Sequence, residues 1–252
     1  APSLFIYIVL SKLILGSAAA GWFAKPSQAL FLLALGFLCG FPTGAVLARE
    51  LYDRGGVSAK RASYICAYAN NPSLSFVLGF AGERAFPGSG AGWKFSLLII
   101  ASSLLNMLVL RAVFFTAEER AELSKPLALG RSESKSLVDA VSESADTMIR
   151  VCAMITVFAC VGTLLNELAG LSGLPAALLS GFLEFSGGIA LCAELPGVAG
   201  PVLAAALLGW AGLSVQMQVR AVAGELLLTR MFLCARVLQA AVMALGAFFL
   251  FR

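Results

Sequence analysis

In the middle of an apolar stretch from Ala29 to Tyr52 stands the run Gly40-Phe41-Pro42-Thr43-Gly44. Two glycines and a proline within five residues break a helix. Each arm left over is about 11 residues, and at ~1.5 Å per residue neither reaches across a hydrocarbon core of roughly 30 Å. The stretch is too apolar for water and too broken to cross a membrane as one helix. A helical hairpin that enters and leaves on one side satisfies both constraints.

Seven more apolar stretches accompany it: Leu4–Phe23, Val57–Gly82, Trp93–Phe115, Thr147–Leu168, Pro175–Leu195, Val198–Ala223 and Met231–Phe251. Of the 252 residues, 60% are hydrophobic and only 13% charged, about half the charge a soluble domain carries. The chain is therefore expected to be an integral, multi-pass membrane protein with no room for a separate soluble catalytic domain. Leu4–Phe23 is long enough to span and has no credible small-residue cleavage site, so it is read as a span rather than a leader. Three further stretches carry interruptions, at Asn70-Asn71-Pro72-Ser73, at Phe185-Ser186-Gly187-Gly188 and at Gly209 to Ser214.

The chain has no histidine, which excludes Ser-His-Asp and Cys-His machinery, the usual zinc sites and a histidine proton relay. The six cysteines form no CxxC pair and read as reduced core residues. Neither a Walker A motif nor a Rossmann fingerprint is present. No enzyme activity, no resident cofactor and no metal site are expected. The partners expected are a small-molecule substrate, the lipid bilayer and a second copy of the chain as an option, but no nucleic acid.

The order span, hairpin, broken helix, span occurs twice. Gly36-Phe37-Leu38 matches Gly181-Phe182-Leu183, and Glu50-Leu51 falls on Glu194-Leu195. The segmentation is residues 1–115 as a first repeat with its hairpin at 29–52 and broken helix at 57–82, residues 116–146 as a linker, and residues 147–252 as a second repeat with its hairpin at 175–195 and broken helix at 198–223. In the linker, Ser136 to Asp139 resembles a capping box, and Leu137, Val141, Ala145 and Met148 recur at helical spacing. An amphipathic helix leading into the next span is expected there, on the cytoplasmic side.

A hairpin that returns to its own side leaves three crossings per half. Three is odd, so the second half starts on the opposite face and the repeats are inverted. The fold expected is an all-α membrane protein with two inverted-topology repeats, six transmembrane helices (two of them broken) and two re-entrant hairpins. With both termini outside, thirteen of the eighteen lysines and arginines fall on the cytoplasmic side and three outside, as the positive-inside rule requires.

Backbone freed at a break inside a bilayer must be satisfied by protein or by a water-filled cavity, and the helix N-termini exposed there favour anions. The candidate binding residues are therefore the polar and small residues at the breaks. The first half supplies Thr43, Gly44, Asn70, Asn71, Ser73 and Ser75; the second supplies Ser186, Gly187, Gly188, Ser214, Gln216 and Gln218. Glu184, an intramembrane carboxylate, is a candidate for binding a coupling Na+ or H+, or for pairing with Lys12 or Arg236. The competing reading is that these residues cap broken helices and bind helices together.

Gly40-Phe41-Pro42-Thr43-Gly44-Ala45, Ala69-Asn70-Asn71-Pro72-Ser73, Gly79-Phe80-Ala81-Gly82 and Gly212-Leu213-Ser214-Val215-Gln216 resemble the sporulation integral membrane proteins of the YlbJ, or SpoVV, family. That family lies within the membrane "gate" or nucleoside-recognition domains. The resemblance implies a transporter core in a bacterial cytoplasmic or forespore membrane, working by alternating access at a midplane site. For the sporulation branch it implies movement of dipicolinic acid, a small aromatic dicarboxylate. Two alternatives stay open: ion-coupled transport of a nucleoside or other neutral solute, and a non-transport structural subunit of a membrane assembly.

Overall fold

A computed structural model describes residues 28–125 and 136–252, together with Phe5, Ile6 and Val9. The expected first span, Lys12 included, lies outside the described residues apart from those three. The protein is all-helical, 82% helix, with no strand among the described residues. The elements are α1 (Gln28–Cys39), α2 (Thr43–Asp53), α3 (Ala59–Ala69), α4 (Leu74–Phe76) running on as a π-helix (Val77–Arg84), α5 (Ala91–Phe114), α6 (Ala117–Leu123), α7 (Leu137–Leu168), α8 (Gly173–Leu183), α9 (Phe185–Cys192), α10 (Ala199–Trp210), α11 (Gly212–Ala223) and α12 (Thr229–Leu250).

Among the described residues, four stretches are long and apolar enough to cross a membrane: Ala91–Phe114, Leu137–Leu168, Ala199–Leu226 and Thr229–Leu250. The outward faces of the first, second and fourth carry Leu97, Leu108, Val113, Val157, Leu164, Val237, Leu245 and Phe249, all exposed. An apolar surface of that extent is costly in water and costs nothing in lipid. The protein is a membrane protein.

All four expected breaks are present, each with its own local cause. Gly40 takes φ +81° and ends α1, a conformation that L side chains avoid. Asn70 to Ser73 separate α3 from α4, and the Ser73 hydroxyl caps the new helix by accepting from the Phe76 N–H at 3.2 Å. Ala211, the single non-glycine at positive φ (69°) among the described residues, separates α10 from α11. The remaining break falls at Glu184 rather than across Phe185–Gly188, and its backbone is extended (φ −138°, ψ 112°). Gly187 and Gly188 are helical instead; a Cβ on Gly188 would overlap the Gly181 backbone, so this glycine lets α8 and α9 close on each other.

The last ten residues of the linker and the fifth stretch form one helix, α7, capped as expected by Ser136, which accepts from the Asp139 N–H at 3.1 Å. Earlier in the linker, α6 starts in a capping box that sequence reading passed over, with Thr116 and Glu119 each accepting from the other's backbone N–H. Lys60 grips both Glu119 oxygens at 2.6 and 2.8 Å. This bond first, and the Thr116 N–H after it, hold the Glu119 carboxyl below its ordinary value. Arg61 donates to the carbonyls of Glu122, Leu123 and Lys125, closing the C-terminal end of α6. The polar stretch is thus clamped onto the start of α3.

α12 packs along both α10 and α5. A Cβ at Gly209 would lie 2.6 Å from the Ala240 nitrogen, so α10 and α12 approach to backbone contact. Cys39, Cys66 and Cys192 are buried as expected of core residues, but Cys152, Cys160 and Cys234 are exposed.

Candidate functional site

Each hairpin tip rests on the break that follows it in the chain. A Cβ on Gly44 would stand 2.6 Å from the Asn70 backbone, and one on Gly40 would stand 3.0 Å from Ser73. In the second half, a Cβ on Gly212 would come within 2.9 Å of the Phe185 nitrogen and 3.1 Å of the Leu183 carbonyl. Small residues at the tips and breaks make these seats possible. The two tips then meet: the Phe41 and Phe185 rings pack edge to face at 5.7 Å, and Phe76, just after the first break, lies 5.2 Å from Phe185.

Where tips and breaks converge there is a cavity of about 510 Å³. Phe41, Phe76 and Phe185 form an aromatic wall, Met148 to Ile155 of α7 close one side, and Ser73, Ser75, Glu184, Ser186 and Gln218 supply its polar groups. This size and mixture, mostly apolar with a few convergent polar groups, is that of a small-molecule site.

The structure thus gathers five of the thirteen candidate residues into one cavity. Gly187 lines a second cavity, of about 430 Å³, that also touches Glu184. Glu184 is 3% exposed. Its carboxylate accepts from the Ser186 N–H at 3.1 Å, the Gly187 N–H at 2.8 Å and the Ser186 hydroxyl at 2.6 Å. It therefore caps α9, and no ion pair joins it to Arg236 among the described residues.

Seven candidates lie outside the linings of both cavities. Gly44 and Gly188 serve close helix packing. Gln216 donates to the Trp210 carbonyl at 3.4 Å. The Asn71 amide oxygen accepts from Ser103 at 2.9 Å and from Gln239 at 3.0 Å, while its nitrogen donates to the Tyr68 carbonyl at 2.8 Å. Asn106 extends this buried network to Gln239 and the Ala235 carbonyl. Thr43, Asn70 and Ser214 are fully buried, and among the described residues the Thr43 hydroxyl, both amide atoms of Asn70 and the Ser214 hydroxyl have no hydrogen-bond partner. The cavity-lining Gln218 Nε2 is unpartnered in the same way. Buried polar atoms are paired in the great majority of cases, so these are exceptions, and they cluster at the breaks.

Arg236 lies wholly buried and donates to the carbonyls of Ala67 at 3.0 Å and Asn70 at 3.2 Å. It closes the negative end of α3 at the first break, a role the sequence signals only as a charge inside an apolar stretch. Sequence reading missed the aromatic wall, which looked like ordinary apolar filling, and the α7 wall, which carries no break.

Among curated proteins, the sporulation integral membrane protein YlbJ of Bacillus subtilis (strain 168) is 25% identical over 287 aligned positions, covering 94% of this chain and 70% of the relative. No family model matches, and no solved structure matches.

Proposed function

Since the chain belongs to the family of the sporulation integral membrane protein YlbJ, we propose that it is a secondary transporter or facilitator for a small organic anion. The substrate class we favour is a planar aromatic dicarboxylate such as dipicolinate, moved by alternating access between two inverted repeats of residues 1–115 and 147–252. The observation that carries this reading is the convergence of two hairpin tips and two helix breaks on one cavity of about 510 Å³.

The chemistry of that cavity supports a flat, polar-edged ligand. Phe41, Phe76 and Phe185 offer ring faces and edges for stacking. Ser73, Ser75 and Gln218 offer hydroxyl and amide donors for carboxylate oxygens; the Ser186 hydroxyl proton is already given to Glu184. The Glu184 carboxylate fits this picture as a tethered anion: it occupies the N-terminal N–H groups of α9 that an incoming carboxylate would otherwise seek.

The reading is tested by uptake of labelled dipicolinate and other carboxylates into proteoliposomes. Flux of dipicolinate that falls at least tenfold in Gln218→Ala and Ser73→Ala supports it. Sodium- or proton-driven flux of nucleosides, with no carboxylate flux, replaces the substrate class. Absence of flux for every solute favours a structural role.

A further inference from the structure

The two cavities are stacked on one face of one helix. Met148, Val151, Cys152 and Ile155 of α7 line the larger. Phe158, Ala159, Gly162, Thr163 and Asn166 of α7 line the smaller. Along the helix they follow the i, i+3, i+4 pattern of one face, so they form a single stripe. From Met148 to Asn166 that stripe runs about 27 Å at 1.5 Å per residue, against a hydrocarbon core of roughly 30 Å. Glu184 is the residue that lines both cavities. Only about one helical turn of α7 separates the two linings, between Ile155 and Phe158.

We infer that the α7 stripe is one wall of a transmembrane route, and that Glu184, held in place by its cap on α9, is the partition that separates its two ends. This rests on the transport reading and deepens it by assigning the barrier. The cap explains how one side chain can seal a passage: three hydrogen bonds fix the carboxylate across the gap. The second cavity has polar character of its own. Asn166 donates to the Ser180 hydroxyl at 2.8 Å, and its amide oxygen is buried without a partner among the described residues.

The helix carries its own control. Cys152 stands in the stripe; Cys160, exposed like it, lies on α7 about 80° around the axis from Cys152 by helical geometry, on the side read as facing lipid. The experiment is thiol labelling of the full chain in oriented membranes with a membrane-impermeant maleimide. The buried Cys66 and Cys192 are kept and the other cysteines are removed, except for one reporter at a time: Cys152, Cys160 or Thr163→Cys. The expected result is that Cys152 and Thr163→Cys react from opposite sides, each at least tenfold faster than Cys160. Glu184→Ala is expected to let reagent reach Cys152 from both sides. Glu184→Gln, which keeps the length and one acceptor oxygen, is expected to restore most of the barrier and guards against a folding defect in the alanine variant. Labelling of both stripe positions from the same side, equal labelling of Cys160, or an alanine variant that leaves sidedness unchanged would overturn the inference. Because labelling needs no substrate, the predicted pattern in a protein with no carboxylate flux overturns the substrate class and leaves the partition standing.

Discussion

Arg236 donates to the carbonyl of Asn70, joining residues 166 positions apart. The last helix of the chain thereby closes the first break of its first half. A carbonyl end of α3 that would face the membrane interior unpaired receives instead a buried guanidinium, and the guanidinium receives two oxygens.

Removing Arg236 leaves both carbonyls without a donor. A buried hydrogen bond to a charged group contributes about 1.5–3 kcal/mol, so Arg236→Ala is expected to destabilise by at least about 3 kcal/mol. At about 2–4 °C per kcal/mol for a chain of this size, that is a drop of roughly 6–12 °C in Tm in detergent. Arg236→Lys keeps the charge but not the fork, and should recover less than half. An unchanged Tm in the alanine variant contradicts this account of the break.

Asn71, Ser103 and Gln239 share hydrogen bonds in one buried network. Groups in such a network are coupled. In a double-mutant cycle of Asn71→Ala and Gln239→Ala, an interaction energy of about 1–2 kcal/mol is expected. Additivity within about 0.5 kcal/mol would mean that the two side chains act independently.

The hairpin seats are steric. Gly44→Ala puts a methyl against the Asn70 backbone, and Gly188→Ala puts one against Gly181. Each should cost about 1–3 kcal/mol, as overpacking does. Gly79 has nothing within 4 Å of its notional Cβ, so Gly79→Ala should be neutral or slightly stabilising. Thermal unfolding of the three variants side by side checks the order; a Gly44→Ala protein as stable as Gly79→Ala would refute the close seat.

The clamp on α6 is pH-sensitive. Lys60 holds the Glu119 carboxyl below its ordinary value, and a carboxyl lowered by folding stabilises above its unfolded pKa and loses that contribution as pH falls through the folded one. Spin labels at Ala59→Cys and Ala121→Cys should give a narrow distance distribution above about pH 5 that broadens below about pH 4, around and below the ordinary carboxylate value. In Glu119→Gln, where Arg61 still holds the end of α6, the distribution should be broader than in the unchanged protein at neutral pH and should no longer respond to pH. A Glu119→Gln distribution as narrow as that of the unchanged protein would show that Lys60 is not what holds α6.

Breaks and caps are local chemistry, and they could be read in advance. Gly40, the Asn70–Ser73 run and the Ser136 cap all stand where residue type and spacing put them. Glu184 shows the limit of that reading: the glycines after it look like the breakpoint, yet its own side chain ends one helix and starts the next. What joins distant elements was not legible. Nothing near Asn71 in the chain names Ser103 or Gln239, and nothing near Arg236 names Ala67. The site was half legible for the same reason. Polar residues at breaks announce themselves, but an aromatic wall and a smooth helical stripe look like any buried or lipid-facing surface until the fold brings them together.

The bond between Arg236 and Asn70 also sets an order of events during synthesis. Ribosomes add roughly 5–20 residues per second, so the 166 positions between these residues amount to about 8–33 seconds. Throughout that interval the carbonyl end of α3 has already been made and its guanidinium has not. The segment that ends in α3 is therefore not a self-sufficient unit of assembly. It waits, with its break incomplete, for the last helix to arrive.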